Sequence, residues 1–244
     1  VENLPEARPG SQPPPPRGEH ITADAVGGKV LLDAEGFPQE GPRYRALLAI
    51  NGGSLEKYAQ RYLRGYSAVA GLMNGWMFVH GAGPREDQVQ GHGTLMIYPA
   101  ALFDLPIFVQ IFSAMRFQPP DRAAFDYANL VFTLGDSRFN FESIDLFGKS
   151  ISFRGRGYVR FDGAMSLDFY SRMGGRTALP LVNTLIGAAT SDWVRILVRG
   201  NINAPVARQE ALPELTDTFR NFLLAPFAPR PAGGPIPTFR SSEG

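Results

Sequence analysis

The chain contains no cysteine and only three histidines among its 244 residues. The first absence excludes disulfides and thiolate chemistry without fixing a compartment, and the second leaves little material for a metal centre. Charge of one sign is missing too. With 24 Lys and Arg against 23 Asp and Glu, the net charge of +1 offers no broad field for nucleic acid or an anionic membrane. No hydrophobic run reaches the roughly 20 residues of a membrane span, since LFDLPIFVQIFSAM at 102–115 is interrupted by Asp104 and Pro106. No signal peptide is visible and the first residue is Val1, so we read the chain as a piece of a longer protein.

Alternation is what the sequence does have. In ISFRGRGYVRFDGAMSLDF, residues 151–169, every odd position is apolar or glycine and the even ones are mostly Ser, Arg, Asp and Tyr. Period two is the signature of a strand with one dry face. A two-residue Asp162-Gly163 turn would put Phe161 and Met165 on opposite faces. A three-residue loop, Asp162-Gly163-Ala164, instead pairs Phe161 with Met165 and Val159 with Leu167, and sets Phe169 opposite Gly157. The three-residue loop is the expectation.

Similar runs fill 19–225. HITADAVGGKVLLDAEG, RYRALLAIN, NGWMFVHGAG, GHGTLMIYP, DYANLVFTLG, SRFNFESIDLF, KSISFRGRGYVRF, AMSLDFY and DWVRILVRG predict roughly nine strands with mostly short connections. That favours a large antiparallel, curved, meander-like sheet, mainly β, covered by a few short amphipathic helices. Helices are predicted at 54–65 with Ser54 as N-cap, at 103–115 and 177–189 after Leu-Pro starts, and at 212–224. The Pro-rich ends, 1–18 and 226–244, read as disordered linker and tail. Both middle helices follow a Gly-x-Gly strand, a weak internal likeness that suggests two related units, about 19–117 and 118–225.

Catalytic constellations are not found. His20, His80 and His92 lie in separate strand-like segments; His80 and His92 flank one connection and are surface histidines on the plain reading. The Gly-x-Gly pairs at 81–83, 91–93 and 155–157 lead into strand residues, where a phosphate-cradling loop must open a helix. Asp33 with Glu35, and Asp162 with Asp168, read as solvated carboxylates. The row Arg154, Arg156, Arg160 has nearly no interleaved aromatics and is answered by Asp162 and Asp168, which argues against nucleic acid. The sequence therefore predicts no enzyme, no cofactor and no metal.

The dry face itself is the candidate site. Burying Ile151, Phe153, Val159, Phe161, Met165, Leu167 and Phe169 would contribute on the order of 10–20 kcal/mol, at about 1.5–3 each. Any fold needs such sums, so a core sealed by the Leu-Pro helices is the plain expectation. The functional one is an apolar groove that takes phospholipid acyl chains, with Gly155 and Gly157 leaving room.

The ordered features of FDYANLVFTLGDSRFNFESIDLFGKSISFRGRGYVRFDGAMSLDFY, then TALPLVNTLIGAATSDWVRILVRGNINAP, resemble the C-terminal region of AsmA-like proteins, the group that includes TamB-type envelope proteins. The upstream GGKVLLDAEGFPQEGPRYRALLAINGGSLEKYAQRY is similar to a preceding unit of that family. The resemblance implies a non-enzymatic Gram-negative envelope protein of the periplasm, held to the inner membrane in its complete chain. Its apolar groove would serve phospholipid transport between the two membranes and outer-membrane assembly, with an envelope protein as a further partner. The rival expectation is a ligand-free β-sandwich that docks a partner through its C-terminal helix.

Overall fold

The computed structural model describes residues 20–37, 43–62, 69–83, 85–117, 125–149, 151–173, 193–210 and 221–223. They form eleven strands in one antiparallel sheet whose spatial order is the chain order. The strands are β1 (Ile21–Ala25), β2 (Gly28–Phe37), β3 (Arg43–Ser54), β4 (Ala70–Ala82), β5 (Val89–Ala101), β6 (Tyr127–Gly135), β7 (Arg138–Phe147), β8 (Ile151–Arg160), β9 (Ala164–Met173), β10 (Trp193–Asn201) and β11 (Ala204–Glu210). Helices α1 (Leu55–Tyr62) and α2 (Pro106–Met115) interrupt them. The expected curved meander with few helices is what the chain adopts. It is one sheet and not a sandwich, and β5 pairs directly with β6 across the boundary between the two suggested units.

Two strands escaped the sequence reading. HITADAVGGKVLLDAEG holds a hairpin, because Val26 (φ 46°) and Gly27 (φ 80°) turn the chain in the left-handed region that a two-residue hairpin requires. APVARQE, with its Pro205, is β11. A proline that cannot donate to a ladder is tolerated there because β11 is an edge strand.

A meander places alternate connections on alternate edges. One edge carries the links β2–β3, β4–β5, β6–β7, β8–β9 and β10–β11, and the opposite edge carries α1 and α2. Ser54 caps α1 as expected, accepting a hydrogen bond from the Lys57 N–H at 3.2 Å. Pro106 begins α2, where its missing N–H costs nothing, and Arg116 in the left-handed region ends it. The predicted helix at 177–189 and both Pro-rich ends lie outside the described residues. Of 212–224 only Asn221, Phe222 and Leu223 are described, and they are helical.

Register fixes the two faces. Val30, Ile50, Gly75, Leu95, Leu130, Ile144, Gly155, Phe169 and Ile196 lie in one row from β2 to β10 and define the inner face. Helix α2 leaves β5 yet packs chiefly against β10 and β11, so the sheet must curl around it. Phe108, Ile111, Phe112 and Met115 are buried there, contributing about 6–12 kcal/mol before entropy. A bulge in β7 at Glu142, seen against both neighbours, adds local bend.

Candidate functional site

The 151–169 hairpin turns through three residues, but one position earlier than expected: Phe161, Asp162 and Gly163. A three-residue loop ends on a left-handed residue, and Gly163 at φ 86° supplies it. Val159 therefore pairs with Met165, Gly157 with Leu167 and Gly155 with Phe169. The aromatic cover falls on Gly155 instead of Gly157; a Cβ on Gly155 would come within 2.5 Å of the Phe169 ring. Gly157 serves the backbone, at φ 139° with its missing Cβ 2.1 Å from the Ser166 carbonyl oxygen.

The seven candidate residues do not form an open groove. Ile151, Phe153, Met165, Leu167 and Phe169 are buried in the main core, with Phe153 fully inaccessible and its ring 6.1 Å from that of Phe112 on α2. Val159 is half-buried at the margin of this core. Phe161 is outside the strand pairing: it sits in the turn at the rim of this face, 39% exposed, edge-on to the inner-face Phe139 at 5.6 Å. The chain's own helix fills the place assigned to lipid.

The same inner face continues beyond that cover. On β2, β3 and β4 it presents Val30, Leu32, Ala34, Ala46, Leu48, Ile50, Met77 and Val79, with no charged group among them. Here α1 packs along β4 near Met73, while α2 points away to β10 and β11. Leu32 is 38% and Leu48 40% exposed, although they face each other and, through Met77, continue the apolar row. Burial in this half favours the other side of the sheet, where Leu31, Leu47, Ala49 and Trp76 form a separate cluster. An alternating pattern gives the polarity of a face; which part of it a distant helix covers is decided by tertiary packing.

The outer face is not uniformly wet either. Asn129, Asp145, Arg154, Tyr170, Arg195 and Glu210 fall in one cross-strand row from β6 to β11. Asp145 and Arg154 are buried and joined by a hydrogen-bonded ion pair at 2.8 Å. Burial is the largest influence on Asp145 and keeps its carboxyl above the usual range, although the Arg154 bond and charge pull it down. Arg154 also donates to the Phe222 carbonyl at 2.8 Å, and Leu223 packs against the fully buried Tyr170. Further along, Asp168 accepts hydrogen bonds from Arg195 at 2.8 Å and Arg199 at 2.7 Å. Desolvation opposes its charge, but those two bonds outweigh it and hold the carboxyl below its ordinary value. The sequence put Arg154 in a basic row answered by Asp162 and Asp168, whereas it is buried and its partner is Asp145. The signal for its burial was the Phe-Leu pair at 222–223, whose apolar stripe needed a surface to cover.

Of the remaining candidates, His80 and His92 do come together, lining a cavity of about 350 Å³ with Asp87, Gln90, Thr133 and Asp136 at the turn-bearing edge. His92 lies edge-on to Trp76 at 5.4 Å, an aromatic packing role. Among the described residues no group of three or more His, Cys, Asp or Glu is arranged to hold a metal. Glu35 pairs with Arg45, Asp162 accepts from the Ala164 N–H at 3.0 Å within the turn, and Arg160 pairs with Asp162 at 3.1 Å, so these two carboxylates and Arg160 serve local structure, whereas Asp33, expected to be solvated, is buried on the outer face of β2. No described helix is long and apolar enough to cross a membrane. No family model, curated protein or solved structure matches the chain.

Proposed function

We propose that this chain is a non-enzymatic lipid-handling module of the cell envelope, a C-terminal part of an AsmA-like protein, that carries phospholipid acyl chains on the open half of its inner face. The observation that supports this reading is the continuity of one apolar face past the end of its own cover. From β2 to β4 at about 4.8 Å per strand, and from Val30 to Ala34 at about 3.3 Å per residue, the open area measures roughly 10 by 13 Å. At about 25 cal/mol per Å² the protein side of such a contact is worth about 3 kcal/mol. That is a weak grip, which suits a surface that must pass a lipid onward and would suit a storage site poorly.

In this reading the site belongs to Leu32, Leu48, Ile50, Met77 and Val79, and the five buried residues of the 151–169 hairpin form the rigid half that keeps the sheet curled. The complete protein would be held to the inner membrane with this module in the periplasm, serving phospholipid movement to the outer membrane and its assembly. The test is mass spectrometry of protein purified without harsh detergent from Gram-negative cells. Phospholipid at a defined stoichiometry is the expected result; lipid-free protein that also fails to take up a fluorescent phospholipid would end the reading.

A further inference from the structure

We propose that the outer face carries a peptide-docking socket built by Arg154, Arg156, Tyr170 and Trp193, and that residues 221–223 are its resident ligand, held in cis and exchangeable. The floor of the socket is the rigid sheet: Arg154 and Tyr170 are cross-strand partners on β8 and β9, and Asp145 on β7 fixes the guanidinium through its Nε at 2.8 Å. That orientation leaves the arginine's Nη1 facing outward, where it donates to the carbonyl oxygens of Phe222 at 2.8 Å and Leu223 at 3.5 Å. A cation aimed at carbonyls in a helical turn is also the favourable partner for the negative end of the backbone dipoles.

Side chains supply the rest of the recognition. The Phe222 ring lies 5.2 Å from the Arg156 guanidinium and 5.9 Å from that of Arg154, and stands edge-on to Tyr170 at 6.0 Å. Leu223 is buried against Tyr170, with Trp193 packed beside them. The ligand is thus read through two carbonyls and two apolar side chains, chemistry that any helical turn ending in Phe-Leu provides. So few contacts make a weak site on their own. Only ten residues separate Glu210 at the end of β11 from Asn221, and because ligand and socket belong to one chain their encounter is intramolecular, which keeps a weak socket filled. A segment of like chemistry on a partner would compete for the same place. This inference is independent of the lipid reading.

The test uses the full chain carrying Phe222→Ala with Leu223→Ala, which empties the socket and leaves its walls intact. The probe is a fluorescent synthetic peptide of residues 212–224. The variant is expected to bind it saturably, with a shift in Trp193 emission, at least tenfold more tightly than the wild type, whose socket is occupied. The same peptide with both alanines should not bind. Equal uptake by wild type and variant, or none by either, overturns the proposal. Should the double variant not fold, Leu223→Ala alone is followed by amide exchange. Faster exchange confined to β8 and β9 supports a separable dock, and acceleration spread over all strands overturns it.

Discussion

Phe153 and Leu48 occupy the same face of the same sheet, yet one is inaccessible and the other is 40% exposed. Phe153 alternates with polar residues along β8 and Leu48 sits in the continuous apolar run 46–50 of β3, and neither pattern says which of the two is covered. The difference lies in α2. Ten residues long, or about 15 Å, it reaches β10 and β11 only because the sheet bends toward it, and it cannot extend back over β2 and β3 as well. Among the described residues, the covered half thereby becomes a core, while the open half keeps an apolar surface that no described helix covers. A fold that needed only stability would gain from covering both.

The largest expected effect probes that contrast. Phe153→Ala removes a ring packed against Phe112, Phe125 and Phe169, and should cost about 3–5 kcal/mol in denaturant unfolding. Leu48→Ala, already half in water, should cost under about 1 kcal/mol. If the two variants lose similar amounts, the open half is covered in solution and the contrast fails.

Arg154→Met comes next, at about 3 kcal/mol, because it leaves the Asp145 carboxylate buried without its counter-charge. Replacing both partners, Asp145→Leu with Arg154→Met, should recover most of that loss, since two apolar side chains need no solvent. A double variant no better than the single one would mean that Arg154 matters through the Phe222 and Leu223 carbonyls instead.

How far the sequence reveals this arrangement follows the range of the interaction involved. Ser54 as N-cap, the start of α2 at Leu-Pro and the alternation in β8 and β9 are local, and residue types report them directly. The hairpin loop had the right length but was misplaced by one residue, because the demand for a left-handed glycine at its last position outweighed the pairing preference of Phe161. β11 was hidden by Pro205 and by its polar end, Arg208 to Glu210, which suit an edge. The buried arginine and the open half were not legible. Each depends on what packs from far along the chain: Phe222 lies 68 residues from Arg154, and α2 joins β5 yet covers β11.

A smaller effect separates the two outer-face carboxylates. Asp168, held low by Arg195 and Arg199, contributes stability that is present above about pH 4 and is lost as pH falls through its folded value. Asp145, held high by burial, has the opposite sign: its contribution is present below 3.8 and is lost as pH rises through its folded value. Asp168→Asn should flatten the acid limb of a stability–pH curve. Asp145→Asn should leave that limb and change the curve above 3.8.

The smallest effect on stability carries the most information about function. Leu48→Arg puts a charge on the open half, where its head can reach water while its stem lies along Leu32 and Met77. Unfolding free energy should move by less than about 0.5 kcal/mol, as for other solvent-facing changes. Hydrocarbon placed on the same spot would have to desolvate that charge, so phospholipid retention and transfer between vesicles should fall at least tenfold. Retention that survives Leu48→Arg but disappears with a folded, conservative change on the buried face of α2, such as Phe112→Leu, would place the lipid in the covered half and reverse the assignment of the two regions.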